Sequence, residues 1–199
     1  MLSKKTTVVT VTYKSEDVIE SFLDRIKNEF KIIVVENSNN IEFKKKLEKK
    51  YKNLKCILTG SNIGWAKANN IGLKEINTKY SLIINPDTII NNKTIFKIEN
   101  RAELIKKFAV ISPVYDQIFK FLNNQYDKFD LNKLSNDNYN LIKTNYVNGN
   151  CLFVKMKDIK SINYLDENFF FFFEEMDLCK RLTKLKKKFI FSKIFQLSI

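Results

Sequence analysis

Four places in this chain carry residue types able to do polar chemistry, and each falls where a strand ends or a helix begins. The first is Asn85-Pro86-Asp87-Thr88, directly after the apolar run Tyr80-Ser81-Leu82-Ile83-Ile84. A buried strand that ends at a carboxylate sets it at the carboxyl edge of a sheet, where ligands of open α/β sheets bind. Pro86 lacks an N–H and takes the chain out of the sheet. Asp87 is then aimed into a crevice, where it could hold a hard divalent cation and, through it, a phosphate. A plain turn would use the same four residue types. The second place is Glu36, after Lys31-Ile32-Ile33-Val34-Val35. An acidic residue there can accept hydrogen bonds from a ribose or base, or simply be a solvated strand end.

The third place is Asn62-Ile63-Gly64-Trp65-Ala66-Lys67-Ala68-Asn69-Asn70-Ile71-Gly72. Gly64 permits close backbone approach at a helix N-terminus, which favours anions. Ala66, Ala68 and Gly72 give that helix a small face, which close packing alone would also explain. No Lys-Ser/Thr pair follows a glycine, so this is not a Walker loop. The fourth place runs from Leu165-Asp166-Glu167-Asn168 through Phe169–Phe173 to Glu174-Glu175-Met176-Asp177-Leu178. Apolar surroundings raise a carboxylate's pKa and suit it to act as a base. Acidic residues at a helix start are also favoured by the dipole, and Asp177 and Arg181 have i,i+4 spacing.

The elements that position these groups follow from hydrophobic patterning. Strands are expected over Thr6–Tyr13, Lys31–Val35, Leu54–Leu58 and Tyr80–Ile84. Helices are expected from Ser15, as N-cap, to about Phe30, over about Ile41–Tyr51 and over about Trp65–Ile76. Strands and helices alternate through short connections, the pattern of βαβ units and a parallel sheet. Beyond residue 91 the expectation is a helix over Asn92–Phe108 and a strand over Ala109–Pro113. A polar, Asn-rich excursion over Tyr115–Lys143 and a strand over Thr144–Met156 interrupted at Gly149 follow. A helix over Glu174–Leu185 and a last strand over Lys188–Leu197 complete the chain.

Composition excludes several chemistries. With His 0, histidine acid–base catalysis, Ser-His or Cys-His nucleophile pairs and most zinc sites are ruled out. Cys56, Cys151 and Cys179 show no metal or redox spacing and read as reduced core thiols. The net charge of +13 comes almost wholly from lysine, with Arg only at 25, 101 and 181. It admits nucleic acid, an anionic membrane surface or phosphorylated small molecules as partners. The scarcity of arginine and the mixing of lysine with glutamate, as over Lys44–Lys50, argue against nucleic acid. No apolar stretch reaches the roughly 20 residues of a spanning helix, and no signal peptide is evident, so a cytoplasmic protein is expected.

Six motifs stand in order along the chain: Thr10-Val11-Thr12-Tyr13, Glu36-Asn37-Ser38, Asn62-x-Gly-x-Ala-x-Ala-Asn-Asn-x-Gly72, Asn85-Pro86-Asp87-Thr88, Asn148-Gly149, and Asp166-Glu167-x-Phe-Phe through Glu174-Glu175-x-Asp177-Leu178. Together, over about residues 6–195, they resemble the family 2 glycosyltransferases, most closely the rhamnosyltransferase-like branch. The resemblance implies one GT-A domain over 1–199, an α/β fold with a Rossmann-like, mostly parallel central sheet flanked by helices. About 1–113 would form the nucleotide-binding half and about 144–199 an acceptor half, short at its C-terminus. It implies a nucleotide-diphosphate sugar donor contacted by Thr12, Tyr13, Glu36, Asn62, Gly64, Asn69 and Asn85. Asp87 would hold Mg²⁺ or Mn²⁺ on the diphosphate. Glu175 stands where the family's catalytic base is usually aspartate. A sugar such as rhamnose would pass with inversion to a glycan or lipid-linked acceptor, at the inner face of the membrane. Relatives commonly carry a histidine near the last strand, where this chain has Gln196 or its neighbours. The alternative is accordingly a degenerate paralogue that binds nucleotide sugar without transferring it.

Overall fold

The structure, a computed structural model, describes residues 2–26, 29–105, 108–113, 141–144 and 146–192. Its strands are β1 (Thr6–Thr12), β2 (Lys31–Glu36), β3 (Leu54–Leu58), β4 (Tyr80–Ile84), β5 (Val110–Pro113), β6 (Leu141–Thr144), β7 (Cys151–Lys155) and β8 (Phe189–Ser192). Its helices are α1 (Glu16–Ile26), α2 (Ile41–Lys50), α3 (Trp65–Lys74), α4 (Asn92–Leu104), α5 (Met156–Ser161) and α6 (Glu174–Lys184). The eight strands form one sheet in the order β3-β2-β1-β4-β7-β5-β8-β6.

The first four strands are the parallel sheet expected from their patterning. β1 lies between β2 and β4, with Thr12 opposite Glu36 and Val9 opposite Ile83. Parallel strands joined by helices must bury both faces, so their sequences are apolar without alternation. Alternate residues then serve opposite layers. Val8, Ile32, Val34 and Leu82 pack beneath Phe22, Leu23 and Ile26 of α1, Leu47 of α2 and Ile95 and Ile98 of α4. Val9, Ile33, Val35 and Ile83 face Ala66, Ala68 and Leu73 of α3 and Leu178 and Leu182 of α6. Each such side chain, fully buried, contributes about 1.5–3 kcal/mol. The small face of α3 serves packing: a Cβ on Gly72 would lie 2.7 Å from Val9 Cγ1 and 3.1 Å from Val35 Cγ2. The three cysteines are buried and free. Burial pushes the thiols of Cys56 and Cys179 up to about 12.

The second half makes the sheet mixed. β7 runs antiparallel to β4 and to β5, β5 is parallel to β8, and β6 is antiparallel to β8. Several expected boundaries change. Ser15 stands directly before α1 as expected, but its hydroxyl pairs with Thr12 Oγ1 at 3.0 Å and donates to the Tyr13 carbonyl at 3.2 Å, with no bond to a helix N–H among the described residues. Phe30 lies outside α1, and α4 ends at Leu104, short of Phe108. The strand expected over Thr144–Met156 is two elements: Thr144 closes β6, and β7 begins at Cys151, after the turn containing Gly149. Leu141–Lys143, expected in the polar excursion, belong to β6. The rest of that excursion, 115–140, and the end of the last strand with Gln196 lie outside the described residues.

Candidate functional site

β1, β2 and β4 are mutually parallel, so Thr12, Glu36 and Ile84 end on one edge of the sheet. A cleft of about 510 Å³ opens there, lined by Val11, Tyr13, Ser15, Val18, Asn37, Asn62, Gly64, Trp65, Asn85, Pro86, Asp87, Phe170 and Phe171. Asp87 sits one residue beyond the break made by Pro86. It is exposed, and its carboxylate has neither an ion pair nor a hydrogen bond among the described residues.

Three asparagines build the rim. The Asn37 side chain donates to Asn62 Oδ1 at 2.9 Å and accepts from the Ile63 backbone N–H at 3.1 Å. Asn62 Oδ1 also accepts from the Gly64 N–H at 3.1 Å, holding the turn into α3. On the facing side, Trp65 Nε1–H donates to Asn85 Oδ1 at 3.0 Å. The Asn85 backbone N–H donates to the Asn150 carbonyl at 2.9 Å, tying the Asp87 turn to the start of β7. The cleft is thus edged by amide groups already oriented by one another, with donors and acceptors suited to a base or ribose.

The aromatic segment closes the cleft over Gly64. Gly64 has φ 87° and ψ 167°, a backbone region essentially restricted to glycine. A Cβ there would stand 2.6 Å from the Phe170 carbonyl oxygen. The Trp65 N–H, first of α3, donates to that oxygen at 2.8 Å. What approaches Gly64 closely is therefore protein backbone, and this N–H of the helix terminus is already satisfied. Asn70 clamps the preceding loop, donating to the Leu165 carbonyl at 2.9 Å and accepting from its N–H at 3.0 Å.

α6 carries the acidic cluster. Glu175 is half-buried and accepts a hydrogen bond from the Tyr146 hydroxyl at 2.7 Å. Burial, and then the bond to Glu175, raise the Tyr146 phenol well above its ordinary range, so it stays protonated as a donor. Glu174 is buried, and among the described residues its Oε2 has no hydrogen-bond partner. Burial raises its carboxyl, and the nearby Glu175 charge adds to this. The apolar environment expected for a carboxylate of this cluster is thus found at Glu174. Asp177 is paired with Arg181 Nε at 2.5 Å, in keeping with its i,i+4 spacing.

Of the residues expected to bind donor or metal, Tyr13, Asn62, Gly64, Asn85 and Asp87 line one cleft. Thr12 is buried just behind it, bonded to Ser15 of the lining. Glu36 is buried outside the lining. Its carboxylate accepts from Ser38 Oγ at 2.7 and 2.9 Å and from the Asn40 N–H at 3.2 Å. Asn69 is buried within α3 and donates to the Trp65 carbonyl at 3.0 Å. Glu175 stands beside Gly149, outside the lining. Asn37, Trp65, Phe170 and Phe171 join the lining without having been singled out as site residues. Asn37 had a signal, since it follows Glu36 at the same strand end. The other three are brought in by contacts distant in sequence. Among the described residues no group of three or more Asp, Glu or Cys gathers to hold a metal by itself.

Residues 7–162 match the family model described as Glycosyl transferase family 2. The low-salt glycan biosynthesis hexosyltransferase Agl10 of Haloferax volcanii is 26% identical over 196 residues, covering 89% of this chain and 61% of that protein. The rhamnosyltransferase WbbL of Escherichia coli is 24% identical over 211 residues, covering 88% and 76%. Among solved structures, a Pyrobaculum calidifontis mannosyltransferase in complex with GDP-Man and Mn²⁺ aligns with TM-score 0.73 and 12% identity. That alignment covers 96% of this chain and 57% of that one. S. aureus TarS in complex with UDP-GlcNAc aligns with TM-score 0.68 and 15% identity, covering 97% and 57%. These neighbours share the GT-A fold, and the chain spans only part of the length of each. By its fold, and by a family match that spans most of its length, this chain belongs to glycosyl transferase family 2.

Proposed function

We propose that the protein transfers a sugar, with rhamnose one candidate, from a nucleotide-diphosphate donor to a glycan or lipid-linked acceptor, with inversion at the anomeric carbon. The observation that carries this reading is Asp87: a carboxylate without a partner among the described residues, opening into an amide-rimmed cleft at the carboxyl edge of a parallel sheet. A single carboxylate fits Mg²⁺ or Mn²⁺ whose remaining ligands are phosphate oxygens and water, a common arrangement for Mg²⁺. The neighbour in complex with GDP-Man and Mn²⁺ lends support. Such a metal, when bound, neutralises charge on the departing diphosphate.

The chain's own residues supply the rest. Asn37, Asn62 and Asn85 orient the nucleoside, Tyr13 offers a ring beside it, and Phe170 and Phe171 keep water from that side of the cleft. Glu175 accepts the proton of the acceptor hydroxyl, while the Tyr146 hydroxyl holds one of its oxygens in place. Among the described residues no helix is long and apolar enough to cross a membrane. We place the protein in the cytoplasm, in peripheral contact with an anionic inner membrane face. The test is a screen of nucleotide sugars for thermal stabilisation, with and without Mn²⁺. Stabilisation by one donor class, enhanced by Mn²⁺, is expected, and no response to any nucleotide sugar refutes the reading. Stabilisation without turnover in the presence of candidate acceptors would instead identify a binding-only paralogue.

A further inference from the structure

The segment Phe170–Phe173 is the least expected surface of the molecule. Its four consecutive phenylalanines are each between 57% and 63% exposed, and Met176 beside them is 49% exposed. Phe172 and Phe173 both have positive φ, at 71° and 70°, a conformation strained for bulky L-residues. The chain accepts that strain while leaving the rings in water. The Phe171 and Phe172 rings meet, with centroids 4.0 Å apart, so the tip is one contiguous apolar knob. Exposed patches of this kind mark interaction surfaces.

The charges around the knob indicate what it meets. Most neighbouring acids are engaged internally: Glu167 by Asn70 and Lys74, Glu175 by Tyr146 and Asp177 by Arg181. Asp166 is bonded to Asn168, and Glu174 is buried. The outer face of α6 continues from Phe173 and Met176 to Lys180 and Lys184 at helical spacing, while Leu178, Cys179 and Leu182 face the core. Lys180, Lys184, Lys186 and Lys188 are exposed and have no ion pair among the described residues. An apolar knob backed by these exposed lysines matches an anionic lipid surface: aromatic rings enter the acyl boundary and lysines remain at the headgroups.

We propose that Phe171–Phe173 and Met176, with Lys180 and Lys184, form the face by which the protein docks on an anionic bilayer. The inference rests on the membrane contact proposed above and specifies its surface. Because Phe170 and Phe171 also line the cleft, docking by the knob sets the cleft mouth beside the bilayer, where a lipid-linked acceptor presents its hydroxyl.

The experiment is co-sedimentation of the full chain with vesicles of equimolar phosphatidylcholine and phosphatidylglycerol, and with phosphatidylcholine alone. The wild type should bind the anionic vesicles in preference. The double variant Phe172→Ser/Phe173→Ser should bind them weaker by on the order of tenfold per ring. Lys180→Glu/Lys184→Glu should lose the preference for phosphatidylglycerol. Both variants alter exposed side chains, and retained thermal unfolding and Mn²⁺-dependent nucleotide binding verify their fold. No binding by the wild type overturns the membrane contact itself. Undiminished binding by the folded phenylalanine variant overturns this face alone, as does a variant that keeps vesicle binding but loses transfer, which would make the knob a platform for the acceptor sugar.

Discussion

Replacing Gly64 with alanine tests whether the aromatic segment and α3 are locked together as described. The new methyl group would lie 2.6 Å from the Phe170 carbonyl oxygen, 2.9 Å from its Cδ2 and 3.0 Å from its Cα. Two of these are backbone atoms, so the loop itself must move. Alanine at this φ and ψ adds about 1–3 kcal/mol of strain. Displacing Phe170 also loosens the Trp65 N–H to Phe170 C=O bond, worth about 0.5–1.5 kcal/mol. The sum is a loss of about 1.5–4.5 kcal/mol, which for a chain of this size lowers the melting temperature by roughly 3–18 °C. Gly60→Ala is the matched control: its φ is also positive, at 82°, but among the described residues nothing beyond its chain neighbours lies within 4 Å of the added Cβ. It should cost about 1–2 kcal/mol from backbone strain alone. Urea unfolding of both variants measures the difference. Equal losses for Gly64→Ala and Gly60→Ala would refute the close contact between α3 and the aromatic segment.

Glu175→Gln should leave nucleotide-sugar binding intact and abolish transfer, measured by calorimetry and by release of nucleoside diphosphate; equal turnover would exclude it as the base. Glu103, bonded to Lys79, Tyr80 and Lys5, has its carboxyl lowered from 4.5 to about 2, chiefly by the Lys79 bond. A depressed folded-state pKa means that its contribution is complete above pH 4.5 and is lost as pH falls toward 2, so acid unfolding curves of Glu103→Gln should be flatter than wild type across that window. An identical pH dependence would show that the Glu103 pairs add nothing to stability.

The sequence reveals the first half of the fold and blurs the second, for physical reasons. β1, β2 and β4 are buried on both faces, so each is a continuous apolar run bounded by polar turns. β6 (Leu141–Thr144) pairs only with β8 among the described residues, and Leu-Ile-Lys-Thr in an Asn-rich stretch gives no period to read. α5 follows β7 without an intervening residue, and neither glycine nor proline separates them. The same contrast holds at the site. Asp87 and Asn62 are legible because strand ends and helix starts place them. Glu36 is also at a strand end, but Ser38 and Asn40 fold back onto its carboxylate. Phe170 and Phe171 enter the lining because Asn70 and Trp65, about a hundred residues earlier, hold their loop, a relation that no local pattern carries.

In the proposed reaction Asp87 binds a donor diphosphate through a divalent cation. This role of Asp87 is tested most directly by calorimetry of UDP and GDP binding to wild type and Asp87→Ala, each with and without Mn²⁺. Wild type should bind one of these nucleotides more tightly when Mn²⁺ is present, and Asp87→Ala should lose that gain while its metal-free affinity and unfolding are unchanged. A gain from Mn²⁺ that survives undiminished in the variant would show that Asp87 does not hold the cation.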